Sequence, residues 1–245
     1  MISHSVPTAY GEAHIQLIGC DAAFLAETHE ARYEAVLSSN TLIQRLAYTE
    51  QVHGATAVNV TPAAGRLSFM GEADALVSRA MATALLIRTA DCIPILFYST
   101  AQPFAGAVHA GWRGLEKCIL SKTLASAADE YGVSVNDLQF VVGPFIGPDS
   151  YEVGSEVANQ FSERHSRAKA NGKFMLNLKS VLKAESAGLG VEEHAALLGE
   201  EVQVRPRRSP RRAHVADEPV RPHLVARLER GREARHVAVA REDVA

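Results

Sequence analysis

The chain has 245 residues, 47% of them hydrophobic and 22% charged, enough for a real core in one α/β domain or two small ones. A formal net charge of -3 gives no global electrostatic reason to bind nucleic acid or an anionic membrane. Three cysteines are too few, and an odd number, for a disulfide framework, and read as reduced thiols available as ligands or nucleophiles.

The opening stretch, MISHSVPTAYGEAH, has no cationic start followed by an apolar run and is not read as a secretory signal. Apolar stretches such as ATALLI fall far short of the roughly 20 residues that span a bilayer, and the expected location is cytoplasmic. Residues 22–38 lack Gly and Pro and alternate apolar with charged positions, which predicts a surface helix. From Leu46 onward, AVNV, DALV, ALLIRT, PILFYS and AGAVHA follow at close spacing and predict strands of a central sheet. Gly114 then opens a helix with Leu115, Cys118, Ile119 and Ala125 on one face, and Gly132 stands where a helix ends. LQFVVG predicts another buried strand. A second helix is expected near Tyr151, with Val153, Val157 and Phe161 at i, i+4 and i+8, and a third from Asn177 to about Gly188. Residues 1–191 therefore read as a single mixed α/β domain, expected as a monomer.

Residues 192–245 differ. They hold 11 of the chain's 19 arginines but no Phe, Tyr, Trp, Cys or Lys, which makes them an atypical Arg/Pro-rich tail. RPRRSPRRAH could be a basic arm for a polyanion, but charge runs are more often solvated, and that is the reading adopted. The mixture of Arg, Pro, Ala and Val is also what G+C-rich codons give when read out of frame. On that reading the tail packs poorly, and only HVAVA (236–240) is suited to a closing strand.

Three segments carry the chemistry: TEQVHG (49–54), TADCIPILF (89–97) and AVHAGWRG (107–114). Each sets one metal-type ligand, His53, Cys92 or His109, at the edge of a predicted strand beside Gly, Pro or Asp. Two imidazoles and a thiolate suit Zn²⁺, and three protein ligands leave a fourth tetrahedral position for water or substrate, as a catalytic site requires. The separations, 39 residues and then 17, are not those of a zinc finger. Taken singly, either histidine could be an ordinary hydrogen-bonded residue, and Cys92 a small buried hydrophobe. Cys20 or His14 could supply a fourth ligand and make the metal structural.

TEQVHG, GEADALVS, TADCIPILF, AVHAGWRG and VGPFIGPDSYEVG, in that order from about Arg45 to Val191, resemble the laccase-domain, YfiH-like family, whose members are called purine nucleoside phosphorylases or polyphenol oxidases. The resemblance implies a three-layer α-β-β-α sandwich with a central mixed sheet, related to cysteine deamidase toxins. It also implies metal ligands at the His of QVHG, the Cys of ADC and the His of HAGWRG: His53, Cys92 and His109, holding Zn²⁺, with Cu as the alternative. The implied reactions are phosphorolysis of adenosine, inosine and methylthioadenosine, with adenosine deamination as a side activity. Arg113, just before the predicted helix, is the candidate for phosphate, because a guanidinium matches phosphate bidentately; a surface ion pair is its other reading. Asp74 or Asp91 could orient a ligand imidazole through its second nitrogen. Trp112 could stack on a purine or simply pack.

Two alternatives stay open. Cys92 could be a hydrolase nucleophile with His109 as its base, although such a pair has no need of His53. Copper-dependent phenol oxidation at a single site also remains, whereas a blue-copper laccase does not, since the sequence has no His-x-His. The family's opening Ser-x-Arg-x-Gly-Gly strand and its later Cys-Thr, Phe-Phe-Ser-x-Arg-Arg and Thr-Gly-Arg segments, which supply substrate-contacting arginines, have no clear counterpart here.

Overall fold

The computed structural model describes residues 2–18, 28–39, 43–61, 65–191, 196–197 and 223–229. The backbone builds two six-stranded sheets. The first runs in the order β1 (Ile2–Thr8), β2 (Gly11–Ile18), β15 (His223–Glu229), β7 (Thr83–Arg88), β3 (Arg45–Glu50), β5 (Leu67–Glu72). The second runs β14 (Ala196–Leu197), β10 (Leu138–Val142), β8 (Ile93–Ser99), β9 (Ala105–Ala110), β6 (Ala75–Ser78), β4 (Ala57–Asn59). Both are mixed: β3 is parallel to β5 and β7, while β8, β9 and β6 pair antiparallel.

Alternation of side chains along each strand sets the layers. In β7, Ala84 and Leu86 face Tyr33, Val36 and Leu37 of helix α1 (His29–Ser39), whereas Leu85 and Ile87 face the second sheet. There they join Ala47 with Leu76, Leu96, Tyr98, Ala105 and Ala107 in the core between the sheets. The opposite face of the second sheet, with Ile93, Ile95, Phe97 and Val108, packs on α2 (Trp112–Glu116), α3 (Ile119–Tyr131) and α5 (Leu178–Gly188). The expected α-β-β-α order is present with a doubled β layer, giving four layers in one domain. Strands covered on both faces must be apolar throughout, which is why ALLIR, PILFYS and AGAVHA show no alternation.

Several elements differ from the sequence reading. The helix expected from Gly114 is two helices, broken where Cys118 takes a left-handed conformation (φ 55°). The helix expected at Tyr151 is instead strand β11 (Glu152–Val153), followed by the single turn α4 (Ser155–Ala158). The strand pairs with β13 (Phe174–Leu176), which also pairs with β12 (Ser166–Ala168). Val153, Val157 and Phe161 still pack on the main core, so their spacing reported burial and not a continuous helix. The helix from Asn177 forms as expected, its first turn capped by the Asn177 side chain accepting from the Ser180 amide.

HVAVA lies outside the described residues. A different part of the tail, His223–Glu229, forms β15 and occupies an inner position of the first sheet, paired with β2 on one side and β7 on the other. Among the described residues, no helix is long and apolar enough to cross a membrane.

Candidate metal centre

His53, Cys92 and His109 converge. One ligand atom from each lies within 4.8 Å of the others, and no other group of three possible donors occurs among the described residues. The imidazole rings of His53 and His109 meet edge to face, with centroids 4.9 Å apart. Bonds of about 2.0–2.3 Å to a tetrahedral ion put donors roughly 3.5 Å apart, and these three lie within 4.8 Å of one another.

Each ligand is held by a distinct device. His109, next to last in β9, is 4% exposed and donates from Nδ1 to Asp74 Oδ1 at 2.8 Å, which leaves Nε2 as the nitrogen that could take a metal. His53 follows β3 in an exposed turn with φ 57°. Its amide and that of Gly54 donate to Asp74 Oδ1 and Oδ2 at 3.0 and 2.6 Å. Before that turn, Gln51 spans to β7, donating to the Arg88 carbonyl and accepting from the Arg88 amide, both at 2.7 Å. Cys92 sits between β7 and β8, where the Thr89 hydroxyl donates to its carbonyl and the Ile146 amide donates to the Asp91 carbonyl.

The glycines of HAGWRG let a third wall approach. A Cβ on Gly111 would lie 3.0 Å from Cys92 Sγ and 3.2 Å from His53 Cδ2, and one on Gly114 would lie 3.0 Å from the Gly54 carbonyl oxygen. Asp74 is 0% exposed. Burial pushes its carboxyl up, but hydrogen bonds from His109, Gly54 and His53 outweigh this and hold it below its ordinary value. Between the two candidate carboxylates, Asp74 holds an imidazole; the exposed Asp91 contributes a backbone carbonyl.

Arg113 is exposed, and its guanidinium lies 4.4 Å over the Trp112 ring, which itself packs partly on the core. One residue of the neighbourhood escaped sequence reasoning. Tyr151 is pushed up to about 12 by burial and by the nearby Cys92 and Asp91, against the opposing pull of Arg113. The motif GPDSYEVG contains it, but only the fold brings it within electrostatic reach of Cys92. Of the possible fourth ligands, His14 lies in β2 with Ser5 Oγ at 2.6 Å and a Glu12 carboxylate oxygen at 3.2 Å, and Cys20 lies outside the described residues.

This fold and this donor set define a class. The family model described as multi-copper polyphenol oxidoreductase laccase matches residues 24–205, well over half of the chain, and the chain belongs to that family. Metal binding is what that family implies, and the His-Cys-His group is where the chain can provide it.

Its relatives include the purine nucleoside phosphorylase YfiH of Shigella flexneri, 32% identical over 67% of this chain and 67% of that protein. A purine nucleoside phosphorylase of Pseudomonas aeruginosa is 36% identical over 60% of each chain. Adenosine deaminase RL5, from an unknown prokaryotic organism, is 33% identical over 48% of this chain and 47% of its own. The chain thus matches from about half to two thirds of these relatives' length. Among solved structures, a Neisseria meningitidis protein of family DUF152 superposes with a TM-score of 0.70 at 24% identity, covering 93% of this chain and 99% of that one. YlmD of Geobacillus stearothermophilus gives 0.69 at 21% identity over 91% and 93%. These two likenesses establish the fold.

Proposed function

We propose that the chain is a zinc-dependent enzyme acting on purine nucleosides, cleaving them with phosphate and deaminating adenosine as a lesser activity. The observation that carries this reading is the convergence of two imidazoles and a thiol within 4.8 Å, a donor set that fits zinc and leaves one coordination position open. The names of the relatives supply the substrate class. Bound there, zinc supplies a Lewis acid and lowers the pKa of water to about 7.

The chain's residues do the rest. His53, Cys92 and His109 hold the ion, with Cys92 as thiolate and His109 oriented by Asp74. Arg113 binds phosphate beside the metal and Trp112 offers ring area to a base. Tyr151, its phenol pushed up to about 12, stays protonated at neutral pH and can donate to an oxygen or ring nitrogen of the substrate. In phosphorolysis a phosphate oxygen bonds to ribose C1′ as the C1′–N9 bond breaks; its electron pair leaves with the purine, which takes up a proton. In deamination water adds at C6 and ammonia departs.

A second reading rests on the Asp74–His109 bond: with Cys92 it lines up nucleophile, base and orienting carboxylate, the arrangement of a cysteine hydrolase. The family's descriptive name supports a third, phenol oxidation with copper in place of zinc. Protein purified without chelator or affinity tag separates them. The first reading expects one zinc per chain and release of adenine and ribose 1-phosphate from adenosine plus phosphate. Activity in metal-free protein that is lost on Cys92 alkylation would replace it with the second, and phenol oxidation by a copper-loaded chain with the third.

A further inference from the structure

We propose that Asp74 is the positioning residue of the metal centre, one carboxylate that sets His109 through its side chain and His53 through its backbone. The inference rests on the metal reading above and adds what makes the site preformed. The two ligands belong to different sheets: His53 follows β3 of the first, and His109 is next to last in β9 of the second. Asp74, immediately before β6 of the second sheet, reaches both.

Its two oxygens accept from three donors: the His109 ring and the His53 amide at Oδ1, and the Gly54 amide at Oδ2. Its own main chain adds to the same frame, its amide donating to the Thr56 carbonyl and its carbonyl accepting from the His109 amide at 2.8 Å. The site is closed to water at Asp74, which is 0% exposed. An ionised carboxylate accepts all three hydrogens, whereas an amide of the same shape has one acceptor oxygen and brings two hydrogens of its own.

The backbone explains why His53 needs such a hold. Its φ of 57° is a conformation that side-chain-bearing residues rarely adopt, so two charge-assisted bonds at consecutive amides fix a turn that is otherwise unfavourable. The turn is held from the far side as well, because Gly114 packs so closely that an added Cβ would lie 3.0 Å from the Gly54 carbonyl oxygen. Loss of the carboxylate therefore releases one ligand's backbone and another's ring orientation together, leaving Cys92 in place.

The test uses the whole chain. In metal-free protein, the His53 and Gly54 amides should exchange slowly although His53 is exposed, and the His109 Nδ1 proton should give a slowly exchanging signal. Rapid exchange at all three would overturn the proposal, and this measurement needs no variant. Asp74→Asn should weaken Zn²⁺ binding by about 10–100-fold and shift the visible bands of the Co²⁺-loaded protein, with its circular dichroism retained. Unchanged Zn²⁺ affinity and an unchanged Co²⁺ spectrum would also overturn it. If the unaltered chain bound neither Zn²⁺ nor Co²⁺, the metal reading would fail, while the exchange measurements would still decide whether Asp74 positions the two histidines.

Discussion

Gly111 and Cys92 stand so close that a single added carbon on the glycine would lie 3.0 Å from the cysteine sulfur. That distance is tighter than ordinary contact, and the same carbon would press on the His53 ring at 3.2 Å. Gly111→Ala should therefore displace two ligands at once. The expected outcome is roughly a tenfold or greater loss of Zn²⁺ affinity, in the range that misplaced supporting groups produce, with little change in secondary structure. Calorimetric Zn²⁺ titration of the variant measures it, and an unaltered affinity would contradict the packing described.

Cys92→Ala should abolish both metal binding and activity, because it removes the one thiolate of the set. Cys92→Ser should keep a trace of metal at most, a hydroxyl being a poor ligand at neutral pH. Metal content by mass spectrometry, measured beside activity, checks both variants.

Arg113→Ala should raise the KM for phosphate about 10–100-fold, the scale of a lost hydrogen bond to a charged group, and leave the Zn²⁺ content untouched. The guanidinium touches Trp112 and none of the three ligands in the contacts described, so its loss should not reach the ion. Phosphate dependence equal to that of the unaltered chain would exclude Arg113 from that role.

Glu185 offers a pH test away from the metal. Its carboxylate accepts from the amide and hydroxyl of Ser121, at 2.8 and 2.9 Å, between α3 and α5. Burial raises its pKa more than those bonds lower it. Folding therefore favours the protonated form, a contribution fully present below the unfolded pKa near 4.3 and lost as pH rises through the folded value. Glu185→Gln should match the unaltered chain near pH 4 and melt at a higher temperature at pH 7. Melting curves across that range decide it, and a lower melting temperature at pH 7 would count against it.

The three converging donors were legible because each lies in a short motif near a strand end, where glycine or a polar neighbour breaks the apolar run. Tyr151 was not, since nothing in SYEVG announces burial within electrostatic reach of a cysteine some sixty residues earlier. The choice between Asp74 and Asp91 also waited on the fold: both adjoin the right motifs and precede strands paired with β9, but it is the Asp74 carboxylate that meets the His109 ring. Among the elements, strands buried on both faces announced themselves by unbroken apolar runs. Val153, Val157 and Phe161 misled because a strand, a turn of helix and a loop can bury residues at the same spacing as one helix. β15 was hidden by arginines and prolines on either side of it.

The position of β15 bears on the order in which the chain can assemble. Among the described strands, the hairpin β1–β2 is hydrogen-bonded to the rest of its sheet through β15 alone. A ribosome adding about 5–20 residues per second needs roughly 10–40 s to travel from the end of β2 to the start of β15. For that interval the hairpin has no lateral neighbour and β7 keeps an open edge, the kind of surface on which nascent chains pair wrongly. The hairpin, made well before β15, is thus among the last parts to be locked into its sheet.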